Sequence, residues 1–170
     1  MGLYLNPKRR SIRGSLLRKI FVDFLVKFGF QNIDYYYVHG EGSGNQLHLS
    51  EGVSTLNATF NISSGNITVG PDTLFGHNVL ILTGYHRFHN GVRAKLSSEA
   101  APKEVPDHGE DITIGKGCMI GSNAIILRGV HLGDNVIVGA GAVVTKSFSS
   151  GSVIMGKEAN TKTAPVIHRK

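Results

Sequence analysis

The segment Ile81-Leu-Thr-Gly-Tyr-His-Arg-Phe-His-Asn90 holds two histidines three residues apart, His86 and His89. An imidazole with a reference pKa of about 6.5 is largely neutral near pH 7. In that form it can take a proton from a hydroxyl and ready the oxygen to attack a carbonyl. The bland alternative for His86 is a surface histidine where a repeat ends. For His89 the choice lies between a pocket wall and a solvated loop. His77 and His131 fall at turn positions of the same repeat and read as exposed. Cys118 is the single cysteine, which excludes an intrachain disulfide and any multi-cysteine metal site. It suits a reducing compartment, and at a small inward position it reads as packed rather than nucleophilic.

The element that must hold these side chains is a repeat with a period of six. Steps of six from Ile114 give Ile114, Ile120, Ile126, Leu132, Val138 and Val144, all aliphatic. A second register gives Cys118, Ala124, Val130, Val136 and Ala142, all small or β-branched. The same frame holds Val69, Phe75 and Ile81, with Thr73, Val79 and Tyr85 beside it, and looser copies run back through Ile62 and Leu56. A period of six fits neither a helix nor an alternating strand. It fits a parallel β-helix of three faces and eighteen residues per coil, one aliphatic side chain pointing inward per face. Residues 112–155 then make about two and a half coils, and residues 38–87 nearly three. Glycine after the inward residue (Gly70, Gly76, Gly115, Gly121, Gly133, Gly139) suits a tight turn or positive φ. Asn123, Asp134 and Asn135 belong to the same turn chemistry. The repeat alone does not set the hand, and ordinary crossover rules favour the right-handed one.

The rhythm stops between Ile81 and Ile114, so residues 87–111, with Pro102 and Pro106, read as a surface excursion. Long loops without structure of their own are usually functional.

The chain has 170 residues, 41% of them hydrophobic, 18% charged and 22 of them glycine. That composition supports a single cored domain and excludes disorder. The net charge of +6 is localised: residues 1–30 carry seven Lys or Arg and one Asp, and the remainder balances. A basic face over the whole body, as nucleic-acid binding requires, is therefore absent. Within 1–30, Leu16, Leu17, Ile20, Phe21, Phe24, Leu25 and Phe28 recur at helical spacing, opposite Arg18, Lys19, Asp23 and Lys27. The expected amphipathic helix either covers the open first coil, the reading preferred here, or holds an anionic membrane through Lys8, Arg9, Arg10 and Arg13. The apolar run is too short and too charged to span a bilayer, and no cleavage site follows it. The expected layout is an arm and helix over 1–30, a β-helix over 31–156 and a tail over 157–170.

The stretch ITIGKGCMIGSNAIILRGVHLGDNVIVGAGAVVTK resembles the hexapeptide-repeat acyltransferases, most of all the sugar O-acetyltransferases, and the resemblance covers about residues 55–160. It implies an all-β, left-handed parallel β-helix, an excursion that reaches a neighbouring subunit, and a homotrimer. It implies His86 as catalytic base for direct transfer from acetyl-CoA to a sugar or nucleotide-sugar acceptor, with Asn61, Tyr85 and His89 on the acceptor side. It further implies acetyl-CoA in the intersubunit groove, near Ser122, Ala140 and Thr145, with Lys146 towards its nucleotide end. Lys162 is a candidate phosphate partner. Its segment, Gly156-Lys-Glu-Ala-Asn-Thr-Lys162, lacks the proline that the family has there. No metal is implied, and the location implied is cytoplasmic, with membrane contact through residues 1–30 as the added option. Three rivals stay open: N-acylation of a nucleotide-linked amino sugar, a non-catalytic β-helix scaffold or sugar-binding module, and the γ-type carbonic anhydrases. The last need two histidines five apart and a third from a distant coil, a pattern this chain lacks.

Overall fold

The computed structural model describes residues 2–5, 20, 24, 27, 34–84, 88–96, 109–156 and 160–162. The chain winds as a three-faced parallel β-helix of five coils. Face A stacks β2 (Tyr35–His39), β4 (Ala58–Asn61), β7 (Leu80–Leu82), β12 (Ile125–Leu127) and β15 (Val143–Val144). Face B stacks β3 (Leu47–Leu49), β5 (Ile67–Val69), β10 (Ile112–Ile114) and β13 (His131–Leu132). Face C stacks β6 (Leu74–Phe75), β11 (Met119–Ile120), β14 (Ile137–Val138) and β16 (Val153–Met155).

From Val69 to Val144 the inward ladders are those the spacing predicts; Phe60 and Ile154 extend them. Phe60, Ile81, Ile126 and Val144 are in register on face A, and Phe75, Ile120, Val138 and Ile154 on face C. All are at most 2% exposed, as are Cys118, Ala124, Val130, Val136 and Ala142 of the second register. In the first coils the Tyr36, Phe60 and Phe75 rings meet edge to face at 5.7 Å.

Three details depart from the sequence reading. First, the glycines after the inward residue do not hold positive φ. The left-handed positions come two residues later, at Asp72, Asn78, Gly117, Asn123, Gly129, Asn135 and Gly141. At Gly121 the need is space, since a Cβ there would sit 2.5 Å from the backbone nitrogen of Ala140 on the next coil. Second, Leu56 is not inward. It occupies a corner at φ 34°, beside Asn57 at 60°, and Asp34 Oδ1 holds that corner by accepting bonds from Thr55 N, Thr55 Oγ1 and Leu56 N. The early coils are longer at another corner, the one from β2 to β3, where residues 40–46 connect the strands: Tyr36 pairs with Ala58, twenty-two residues on, whereas Thr113 pairs with His131, eighteen on. Third, His131 is exposed as expected but lies in strand β13, with Nδ1 2.6 Å from Thr113 Oγ1.

Both ends of the chain add a strand. β1 (Gly2–Leu5) pairs antiparallel with β2, and β17 (Asn160–Lys162) pairs antiparallel with β16. Ile20, Phe24 and Lys27 are helical; the rest of the expected amphipathic helix lies outside the described residues. Ile20 and Phe24 are 57% and 52% exposed.

Candidate active site

The excursion opens at the corner between faces A and B in the third coil. Thr68 and Thr113 are register partners forty-five residues apart, against eighteen for the regular coil below, so twenty-seven residues are inserted. Thr83, wholly buried, is the last residue of the coil before the break. Its Oγ1 donates to Asn61 O at 2.7 Å and accepts from Ser64 N at 3.2 Å, which satisfies a hydroxyl in an otherwise apolar wall. Asn61 closes β4, and its Oδ1 accepts from Ser63 N at 2.8 Å. That bond turns the amide Nδ2 towards Gly84, where a Cβ would stand 2.9 Å from it. Glycine at 84 therefore lets the Asn61 amide lie against the backbone two residues before His86. Tyr85, His86 and Arg87 themselves lie outside the described residues.

Part of the excursion is ordered in a way the sequence reading missed. β8 (Phe88–His89) and β9 (Val92–Arg93) form a hairpin, followed by a 3-10 turn over Ala94–Leu96. Asn90 and Gly91 make its turn with φ of 48° and 78°, the left-handed pair that a two-residue hairpin loop needs. The dipeptide Asn-Gly was the available signal. His89 is half-buried on β8 opposite Val92. Residues 97–108 lie outside the described part. The chain returns at Glu110, whose amide donates to Ser64 O at 3.2 Å and whose carboxylate lies 3.6 Å from Arg128 Nε.

The expected cofactor residues separate into two groups. Ser122 and Ala140 occupy the corner between faces C and A on successive coils, joined by the Gly141 N to Ser122 O bond at 2.9 Å. Ser122 Oγ accepts from His77 N at 3.1 Å. Ala140 is exposed rather than packed. Thr145 and Lys146 are exposed at the opposite corner, between faces A and B, on the same side as Asn61 and Gly84. Lys146 Nζ stands 5.6 Å from the centre of the Phe148 ring. The strands of face A separate the two groups, so one chain does not bring them together. Lys162 pairs through its backbone with Val153. Cys118 is 1% exposed, with Sγ donating to Gly133 O at 3.2 Å; burial pushes its thiol pKa up, so it is a packed residue. Among the described residues, no three of His, Cys, Asp and Glu converge as a metal set.

Residues 111–146 match the family described as the hexapeptide repeat of succinyl-transferase. This part of the chain carries the hexapeptide repeat. Over 116 residues it is 30% identical to the galactoside O-acetyltransferase of Escherichia coli (strain K12), covering 66% of this chain and 51% of that one. The chain thus spans about half the length of this curated relative. Among solved structures it is similar to the polysialic acid O-acetyltransferase OatWY, with 25% identity and a TM-score of 0.59, over 79% of this chain and 60% of that one. It also matches the serine acetyltransferase of Neisseria gonorrhoeae, with 20% identity and a TM-score of 0.50, over 88% of this chain and 48% of that one. The fold is the left-handed parallel β-helix, the hand opposite to the one ordinary crossover rules favour.

Proposed function

We propose that this hexapeptide-repeat protein moves an acetyl group from acetyl-CoA to a hydroxyl of a sugar or surface-polysaccharide precursor, with His86 as general base. One observation carries the reading. The coil breaks directly after Thr83-Gly84, against the Asn61 amide, in a chain 30% identical to a galactoside O-acetyltransferase over 116 residues.

The chemistry is direct. The neutral His86 imidazole takes the acceptor hydroxyl proton as the oxygen attacks the thioester carbonyl. The C–S bond then breaks, and the imidazolium returns the proton to the departing CoA sulfur. Asn61, Tyr85 and His89 orient the acceptor. Ser122, Ala140, Thr145, Lys146 and Lys162 line the acetyl-CoA path.

Because Ser122 and Ala140 sit across face A from Thr145 and Lys146, the site is completed by a homotrimer, in which one chain's edge meets the next chain's. The outward side chains support this. Face A presents Leu80, Ile125 and Val143 in register, and face C presents Leu74, Met119 and Ile137. The three on face C are 51%, 53% and 42% exposed, a contiguous apolar strip that a monomer rarely leaves in water. Face B presents His48, Thr68, Thr113 and His131 and faces solvent. The enzyme works in the cytoplasm. The exposure of Ile20 and Phe24, within a basic arm, favours contact with an anionic membrane surface over capping.

The test uses purified protein, acetyl-CoA and a panel of galactosides, sialic acid polymers and nucleotide-linked amino sugars, with release of free CoA thiol as the readout. A hydroxyl acceptor should support turnover, and His86→Ala should lower kcat by about 10²–10⁴-fold. Acetyl-CoA binding by calorimetry should persist in that variant. No acetyl-CoA binding by the wild type would leave a scaffold instead, and turnover with amines alone would make the protein an N-acyltransferase. A His86→Ala enzyme within a few-fold of wild type would remove the base assignment.

A further inference from the structure

Both ends of the excursion are fastened to one short stretch of the preceding coil. On the exit side Thr83 is bonded to Asn61 O and Ser64 N. On the return side Glu110 N donates to Ser64 O at 3.2 Å, and Glu110 O accepts from Gly129 N at 3.4 Å. Ser64, only 6% exposed, thus holds the exit through its amide and the return through its carbonyl. An ion pair closes the corner from the coil below: Arg128 Nε to Glu110 Oε2, 3.6 Å, with side chains 35% and 17% exposed. A second pair, Lys116 with Asp134, is 3.9 Å apart and 65% and 45% exposed. Partial burial leaves the Glu110–Arg128 pair less screened than that one.

We propose that Glu110 and Arg128 are positioning residues: their ion pair clasps the base of the excursion and so fixes where the chain leaves the coil at Gly84. A twenty-seven-residue insert draws on its closure bonds against considerable chain entropy. Loss of the pair lets Glu110 lift from Ser64, and the shared peptide passes the slack to Thr83. The residue three beyond Thr83 is His86, and a displacement of about 1 Å at a reacting group costs about 10²-fold in rate. Only this catalytic consequence rests on the acyltransferase reading; the clasp itself does not.

The experiment follows hydrogen exchange of peptides spanning 84–111, together with kcat and KM, on the full chain. The variants are Glu110→Gln, Arg128→Gln, Arg128→Lys and, as control, Lys116→Gln. Glu110→Gln and Arg128→Gln should speed exchange in the excursion by about tenfold or more. They should lower kcat by about tenfold with KM for acetyl-CoA within about twofold. Arg128→Lys, which keeps the charge, should recover part of both effects, and Lys116→Gln should change neither. Unchanged exchange in both Gln variants overturns the clasp. Faster exchange with unchanged kcat overturns the positioning role and leaves the activity standing. Absence of turnover in the wild type counts against the acyltransferase reading alone, since the exchange arm still decides the clasp.

Discussion

Replacing Gly121 by alanine tests how tightly the coils are stacked. The added Cβ would meet Ala140 N at 2.5 Å, with Gly139 C and Val138 O at 2.8 Å. Ordinary van der Waals contact begins at about 3.4 Å, so the two coils must part by most of an ångström. All three neighbours are backbone, and none can swing aside. The same movement stretches the Gly121 N to Val138 O bond, now 2.7 Å. Overpacking of this kind costs about 1–3 kcal/mol. With a urea m-value of about 2 kcal/mol/M, the midpoint falls by about 0.5–1.5 M at fixed protein concentration. Gly139→Ala is the matched control. Its Cβ has Ile154 O at 3.2 Å as nearest neighbour, with Met155 Cα next at 3.6 Å. A shift of a few tenths of an ångström admits it, and the stiffer unfolded chain offsets the strain, so the net change stays within about 1 kcal/mol. Equal midpoints for wild type and Gly121→Ala, or equal losses in the two variants, would refute close stacking as the reason for glycine. Gly121→Ala should also raise KM for acetyl-CoA, because the displaced residues are those beside Ser122 and Ala140.

Lysine at Met119 or Ile137 should dissociate the proposed trimer in sedimentation velocity, while Thr68→Lys on face B leaves it whole; equal behaviour of the three would contradict the face assignment. Cys118 carries a raised thiol pKa, so the folded state keeps a proton that the unfolded chain releases above its ordinary value of 9.0. Stability should therefore fall as pH rises through about 9 and beyond, and Cys118→Ala should flatten that part of the profile. An identical alkaline slope in the variant would assign the loss to other groups. Ile20→Glu with Phe24→Glu should abolish co-sedimentation with phosphatidylserine vesicles and leave the melting temperature unchanged; a lower melting temperature would restore the capping role.

The inward ladders were legible in the sequence because a coil that turns every six residues repeats its burial every six, and only aliphatic side chains satisfy Ile114, Ile120, Ile126 and their fellows. The excursion was legible for the converse reason: between Ile81 and Ile114 the ladder loses its rungs. Its hairpin was marked by Asn90-Gly91, yet the surrounding polar composition hid the two short strands. The Glu110–Arg128 pair left no trace in sequence, since its partners lie eighteen residues apart and meet only because the coil is eighteen residues long.

By itself the sequence determined the repeat, its inward and outward faces, the place where the chain leaves the coil and the small residues at the corners, all consequences of periodicity within a local frame. Only the tertiary structure decided why Gly121 is glycine, how long the first coils are, and that the two ends of the excursion share Ser64. It alone set Ser122 and Ala140 across face A from Thr145 and Lys146. Those outcomes depend on backbone from one coil meeting backbone from the next, at a stacking distance of about 4.8 Å that no run of neighbouring residues encodes.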